Sequence, residues 1–338
     1  MQIFDLAIIG GGACGIRLAQ LKAASDTCVV FEKSRGIGGR LASRRVQLDA
    51  TLLQVDLGAV FFTKPWHSEA LCRWQTQNLL QEWQLGPQVS QASSVIAKDS
   101  PAIAPGLSKD LLKRILPEQT TLACQTRIQA LAFDVQNQYW ILTDANDTQW
   151  RARRCALTMP APQASALLAT CEQQSVLIKQ LEAVIMAPRW TWVVVAQGEQ
   201  PCRQHWLAQS HDWVDYCVLA SQKPGNPWPA GVNAFVVQSK LAWSEQHVEW
   251  TTLAMLEQYE SSLITGLQHF YGQASLNQVH CVQAHKWRYG HAVKPLGRPW
   301  LGDLERGLVC GGDWALGYGV DAALRSAEAM TAALEHNA

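Results

Sequence analysis

No segment of this 338-residue chain reaches the roughly 18 uninterrupted apolar residues that a membrane-spanning helix needs, so no span is expected. The opening MQIFDLAIIGGG has no basic lead and no small-residue cleavage site, and a signal peptide is not expected either. Charge of one sign is also missing. Twenty-eight Lys and Arg balance 28 Asp and Glu, which leaves no field to recruit nucleic acid or anionic lipid. The ten cysteines form no C-x-x-C pair and no Cys/His cluster at zinc spacing, so no metal site is expected. They read as reduced thiols of a cytoplasm, with disulfides formally open because the count is even. No repeat of fixed period occurs. These absences leave a soluble cytoplasmic chain, 48% apolar and long enough for two domains or for one nucleotide domain carrying an insertion. Its oligomeric state is not legible.

The N-terminus carries the first positive signal. Phe4 to Ile9 reads as a buried parallel strand, and Ala13 to Ala23 as a helix packed on it through Ile16, Leu18, Ala19 and Leu21. Between them lies Gly10-Gly11-Gly12-Ala13-Cys14-Gly15, a GxGxxG turn. In such a turn Gly10 permits the bend, Gly12 lets backbone approach a pyrophosphate, and Gly15 lets helix and strand close up. The helix start then offers unpaired N–H groups to the phosphates. A second strand, Thr27 to Phe31, ends in Glu32, 17 residues after Gly15, where an acid accepts the ribose hydroxyls of an adenosine.

After Glu32 the chain reads Lys33-Ser34-Arg35-Gly36-Ile37-Gly38-Gly39-Arg40. A plain nicotinamide-binding domain needs nothing special there. Two close glycines let the loop fold back over a dinucleotide, and Arg40 then meets the pyrophosphate with a planar donor fork from the side opposite the first helix. That is the arrangement of a tightly held FAD.

GxGxxG followed by E-K-x-x-x-x-G-G-R resembles the FAD-binding N-terminus of the flavin amine oxidase and desaturase superfamily. The rest of the chain resembles its renalase-like members. Asp56-Leu57-Gly58-Ala59-Val60-Phe61-Phe62-Thr63, Pro105-Gly106-Leu107, Pro160-Ala161-Pro162-Gln163, the Pro188-x-Trp190 pair, Lys223-Pro224, Trp243-Ser244, His285-Lys286-Trp287-Arg288-Tyr289 and Cys310-Gly311-Gly312-Asp313-Trp314 fall in that family's order. The resemblance covers essentially the whole chain. It implies an α/β fold like p-hydroxybenzoate hydroxylase, with a Rossmann-type FAD-binding domain (residues 1–63, 105–163 and 285–338) and an interleaved mixed-sheet substrate domain (64–104 and 164–284). It further implies that Gly10, Gly12, Ala13, Cys14 and Gly15 serve the pyrophosphate turn, Glu32 and Lys33 the adenosine side, and Gly39 and Arg40 the phosphates. Gly58 and Ala59 would pass close to the isoalloxazine, and Ile128, on a strand from Thr126 to Leu131, would lie against adenine. Asp313 would accept the ribityl hydroxyl. The last helix would open at Val320 and Ala323, with its N-terminus toward the flavin. One departure stands out: relatives commonly read Glu-Gly-Ala where this chain has Asp321-Ala322-Ala323, a shortened acid and an added methyl.

Toward the substrate end, tryptophan and glutamine become frequent, and strands are expected over Thr191 to Ala196 and Ala234 to Gln238. Fifteen tryptophans are enough to pack a core and to spare a few for a flat substrate. Pocket candidates are Trp190, His285, Trp287 and Tyr289, none of them a confident catalytic group. His285 and His291 read as structural histidines before catalytic bases, and Lys64 as a surface lysine. Cys310 lacks the setting of covalent flavin attachment, so FAD is expected to be non-covalent.

The lack of a convincing acid or base fits the chemistry that the resemblance implies. Renalase-like enzymes oxidise dihydropyridine isomers of NAD(P)H to NAD(P)+ by hydride transfer to flavin N5, with O2 reduced to H2O2. Aromatisation drives that step, so no proton need be removed, and positioning does the work. Lys223, Arg288 and Arg298 are candidates for the substrate phosphates. Three alternatives stay open: an amine oxidase or desaturase on the same fold, a flavin-binding protein with little catalysis, and a nicotinamide-only dehydrogenase.

Overall fold

The computed structural model describes residues 2–83, 102–104, 106–171, 174–201, 205–207 and 212–336. Pro105, Cys202 and most of the 84–104 stretch of the expected substrate domain lie outside them.

Two sheets organise the molecule. The first has eight strands, centred on Ile3–Ile9, which pairs in parallel with Cys28–Glu32 on one side and with Gln149–Leu157 on the other. Thr121–Cys124 and Leu308–Cys310 extend the parallel order. The antiparallel strands Leu301–Asp303, Tyr139–Asp144 and Ile128–Asp134 complete it. The helices Ala13–Lys22 and Val320–Glu335 pack together over one face, where Arg17 pairs with Glu328 at 3.0 Å. Leu6, Ile8 and Val30 turn toward these helices, while Ala7, Ile9 and Val29 turn to the opposite core with Trp140 and Leu168. From Leu6 to Ile9 this central strand is buried on both faces, which is why LAII shows no alternation.

The second sheet has five strands in the order His205–Leu207, Val214–Leu219, Val232–Ser239, Ile185–Gln197, Gln278–Lys294, with every pairing antiparallel. Here the parity of each residue decides its partner. From Ile185–Gln197, Trp190, Trp192, Val194 and Ala196 pack against the long helix Thr252–Tyr271. Val193 and Val195 pack on the other face with Val46 and Val55 of the Ser43–Leu48/Thr51–Asp56 hairpin. Trp190 and Trp192 are fully buried. At ~25 cal/mol per Å², a tryptophan burying on the order of 200 Å² contributes about 5 kcal/mol before the entropy of ordering it.

The packing shifts the expected domain boundaries. Helix Ala161–Leu168 is one continuous element, and with Leu177, Leu181 and Val184 it belongs to the core of the eight-stranded sheet, so a break at 163/164 falls inside it. Strand Gln278–Lys294 belongs to the five-stranded sheet along its whole length, so a break at 284/285 cuts a single strand. Ala70, Leu71, Trp74 and Leu80 pack with Leu6 and Ile8, which moves that segment to the nucleotide side. Among the described residues no helix is long and apolar enough to cross a membrane.

Candidate functional site

A single cleft of about 1490 Å³ runs from the glycine turn to the face of the five-stranded sheet. That exceeds the roughly 300–1,000 Å³ of an ordinary small-ligand pocket and suits a dinucleotide with a second molecule at its end.

At the nucleotide end the three glycines have separate reasons to be glycine. Gly10 adopts φ +119°. A Cβ on Gly15 would stand 2.0 Å from the Gly10 carbonyl oxygen, so helix and strand could not close. A Cβ on Gly12 would meet nothing within 4 Å. Gly12 lines the cleft and caps helix Ala13–Lys22 without a side-chain acceptor, so the first N–H groups of that helix face the cleft. This is a cradle shaped for phosphate. Glu32 lies beside it, buried, its carboxylate accepting from Gly11 N–H at 3.0 Å and Ser34 N–H at 2.8 Å. The 33–40 loop folds back over the turn: Gly38 N–H donates to the Gly11 carbonyl at 2.8 Å, and a Cβ on Gly39 would come within 3.5 Å of Gly12 Cα. Ala13, Cys14, Lys33, Gly39 and Ile128 line the cleft, with Ile128 opening strand Ile128–Asp134, two residues later than expected. Gly15 lies behind the cleft in the helix packing.

Arg40 and Asp313, expected to serve phosphate and ribityl separately, are joined. Nη1 donates to Oδ2 at 2.7 Å and Nη2 to Oδ1 at 2.5 Å, and both residues line the cleft. Gly58 and Ala59 line it too, but the reason for Gly58 is internal: a Cβ there would stand 1.9 Å from the Arg40 carbonyl oxygen, to which Ala59 N–H donates. Val320, Ala322 and Ala323 line the cleft at the start of helix Val320–Glu335. Asp321 lines it too, and accepts the N–H groups of His67 and Ser68 at 2.8 Å each.

At the other end, His285, Trp287, Tyr289 and His291 line the cleft, whereas Trp190 does not. Parity puts Trp190 on the helix-facing side of its strand, where its indole donates to the His247 carbonyl. Trp287 donates to Thr191 Oγ1, Thr191 to Gln238 Oε1, and Gln238 Nε2 to the Leu57 carbonyl, a relay that ties the sheet to the Gly58 segment. Burial, reinforced by Arg44, pulls His285 down to about 4. His291 likewise falls to about 4, through burial first and then Arg189 and Arg40, with Asp313 opposing. Both imidazoles are therefore neutral near neutrality. Burial pushes the Tyr318 phenol up to about 12.

Other candidates are reassigned. Lys223 is buried with Asp56, 2.5 Å from Nζ to Oδ2, so it is not available to a substrate. The same carboxylate accepts from Ser43 Oγ, Ser108 N–H and Ser108 Oγ. The Gly106 and Gly225 backbones touch beside this pair, so Asp56, Gly106-Leu107 and Lys223-Pro224 of the family pattern form one structural latch. Arg298 donates to Gln180 outside the cleft. Arg288 lines the cleft but is paired at both terminal nitrogens with Glu249. Lys64, expected on the surface, lines the cleft with its ammonium 5.1 Å from the Trp66 ring centroid. Cys310 is fully buried away from the cleft, and burial drives the Cys14 thiol far above its ordinary range. Among the described residues Cys14, Cys28, Cys72, Cys124, Cys155, Cys217, Cys281 and Cys310 are free thiols.

Sequence reasoning missed Arg44, Arg189, Tyr216, Gln238 and Tyr318, all of which line the cleft. Arg189 was within reach, flanked by the quoted Pro188 and Trp190 and opposite to Trp190 in parity.

Residues 8–74 match the family model described as an NAD(P)-binding Rossmann-like domain. The whole chain superposes on a crystal structure from Exiguobacterium sp. 255-15 described provisionally as protoporphyrinogen oxidase, with TM-score 0.70, 13% identity and 100% of both chains covered. Putrescine oxidase, in a variant from a redesign of cofactor binding, gives TM-score 0.65 at 11% identity over 99% of both chains. Its wild type bound to putrescine gives 0.63 at 10% identity over 99% of both. At such identities the fold is what is shared. It is a Rossmann-like dinucleotide-binding domain joined to a mostly antiparallel sheet.

Proposed function

We propose that the cleft holds FAD non-covalently and that the protein is a renalase-like oxidase of dihydropyridine isomers of NAD(P)H, 2- or 6-dihydroNAD(P), which it converts to NAD(P)+. One observation carries the reading: nine lysines and arginines line the cleft against three carboxylates, Glu32, Asp313 and Asp321. Such a lining favours a ligand pair rich in phosphate and disfavours a cationic amine. The residues present fit FAD, since Gly12 and the helix start offer donors to a pyrophosphate and Glu32 stands where an adenosine ribose would be read. Bound there, the flavin would supply the hydride acceptor and pass the electrons on to O2, giving H2O2. The chain's own part is to position. The substrate face presents Trp287, Tyr289, Tyr318 and two neutral histidines. Lys286, also on the lining, is held by the Val248 and Trp250 carbonyls. None of these removes a proton, and loss of hydride from a dihydropyridine requires none. Amine oxidation would ask the same cleft to admit an amine past its arginines.

The test is anaerobic stopped-flow absorbance, following flavin bleaching on mixing with NAD(P)H that has been allowed to isomerise, with ordinary NAD(P)H and a panel of amines as controls. Rapid bleaching by the isomers alone, with NAD(P)+ as product, is the expected result. Bleaching by an amine and not by the isomers would overturn the reading.

A further inference from the structure

At the substrate end of the cleft Arg288 is paired with Glu249, Lys286 with the Val248 and Trp250 carbonyls, and Arg189 with Asp215 at 3.1 Å. Arg44 is held by nothing comparable. It lines the cleft, and its guanidinium makes no hydrogen bond and no ion pair among the described residues. Its Nε is shut in, so the donors that a ligand in the cleft can meet are the two terminal nitrogens, which keep accessible surface. A half-buried guanidinium without an anion is costly, because its desolvation goes uncompensated.

Parity sets its position. Along Ser43–Leu48, Val46 and Leu48 are buried in the core shared with the five-stranded sheet while Arg45 and Gln47 are exposed, and Arg44 has the inward parity. It looks onto the row Cys281, His285 and Trp287 of strand Gln278–Lys294. Its charge is felt at the Cys281 thiol and at the His285 imidazole, and Trp287 packs with Val46 and Val55 of the same hairpin. Neither titratable group offers an anion in return, since burial holds the thiol protonated and the imidazole neutral. An inward arginine thus ends an apolar face beside His285 and Trp287, whose rings meet edge to face at 4.2 Å.

We propose that Arg44 is the anion-reading residue of the substrate end, and that its two terminal nitrogens take the phosphate on the ribose next to the substrate's ring. The identity of the anion rests on the dihydropyridine nucleotide reading above, in which phosphate is the substrate's anionic chemistry. A ring held against Trp287 and His285 is one ribose away from that phosphate, and a planar fork of two donors suits two phosphate oxygens. Fixed at the ring and at the phosphate, the nucleotide loses the freedom to turn its other face to the hydride acceptor, which is the service that positioning has to supply here.

The test measures binding to the flavin-loaded protein by calorimetry and by perturbation of the flavin absorbance, with nicotinamide mononucleotide and nicotinamide riboside, which differ by that one phosphate. Wild type is expected to bind the mononucleotide on the order of tenfold or more tighter, the worth of a charge-assisted hydrogen bond. Arg44→Gln should bring the ratio of the two affinities close to one, and Arg44→Lys, which keeps the charge and loses the fork, should leave it in between. Arg45→Gln removes the same charge from the exposed side of the same strand and should keep the wild-type ratio, which separates a built contact from the general field of the cleft. A ratio near one in wild type, an unchanged ratio in Arg44→Gln, or an equal fall in Arg45→Gln overturns the proposal. So does an equal fall of FAD affinity in Arg44→Gln, since the arginine would then serve the cofactor. The two readings fail separately. Bleaching by dihydropyridine nucleotides with a ratio indifferent to Arg44 would leave the oxidase standing without this contact. An Arg44-dependent ratio without such bleaching would leave the phosphate contact without the oxidase.

Discussion

Asp313 holds both terminal nitrogens of Arg40, at 2.7 and 2.5 Å, across 273 residues of sequence. The arginine closes the loop that follows the second strand, and the aspartate opens the short helix Asp313–Leu316 after the last strand of the eight-stranded sheet. The pair therefore fastens two chain ends at the middle of the cleft. It also fixes the plane of a guanidinium that remains 30% exposed, with the Gly290 carbonyl 3.4 Å from Nη1. A fork bound on one edge by a carboxylate is preorganised to meet a phosphate with what it has left.

Arg40→Lys keeps the charge and loses the fork. FAD affinity should fall about 10–100-fold, the worth of one charge-assisted hydrogen bond in this setting. Titrating apoprotein with FAD and following the quench of flavin fluorescence checks it. An unchanged Kd would mean that the pair is only a fastening between chain ends.

Three glycines around the cleft should separate by phenotype. Gly15→Ala and Gly58→Ala each drive a methyl into a backbone carbonyl, at 2.0 and 1.9 Å, and should cost about 1–3 kcal/mol or more of stability. Gly12→Ala meets nothing within 4 Å and has φ −83°, so stability should stay within about 0.5 kcal/mol while FAD affinity drops at least tenfold. Thermal unfolding of the apoproteins beside FAD titrations separates the two effects. A Gly12→Ala protein that keeps its FAD would refute the cradle.

These contrasts show what was legible in the sequence. The GxGxxG turn and Glu32 could be read because their constraint is local: the spacing of a few residues fixes both the bend and the donors. Trp190 was misplaced because a strand read by its composition does not declare which parity faces the ligand, and a shift of one residue exchanges Trp190 for Arg189. Lys223 was misread because its partner Asp56 is 167 residues away, and only the fold brings an acid to a buried lysine. The register shift that leaves Arg288, Tyr289 and Gly290 opposite Pro188, beside Arg189, follows from the pairing of two strands about 100 residues apart. Its one visible trace was the glycine inside a run otherwise suited to a strand.

Lys223 yields a test of stability in place of substrate affinity. Its ammonium and the Asp56 carboxylate are both 1% exposed, and burial holds the lysine below its ordinary range even with Asp56 opposing. Lys223→Met strips the carboxylate of its counter-ion and should cost about 3–5 kcal/mol. KM for the substrate should be unchanged in whatever fraction stays folded. Denaturant unfolding together with steady-state kinetics gives both numbers. A raised KM with unaltered stability would return Lys223 to the substrate site.

The histidines set an acid limit. His285 and His291 sit near 4 in the folded chain against about 6.5 for the unfolded one. Below 6.5 the unfolded chain takes up protons that the folded chain refuses, so stability is full above about 6.5 and is lost as the pH falls toward 4. His291 faces Arg40 and Arg189, and His285 faces Arg44, so protonation would add charge beside arginines already present. Replacing both by glutamine should flatten the decline of Tm over that window relative to wild type, while leaving Tm above pH 7 nearly unchanged. Carboxylates titrate in the lower part of the same range, which makes the difference between the two profiles the quantity to read. Parallel profiles would mean that neither imidazole is neutral by virtue of the fold.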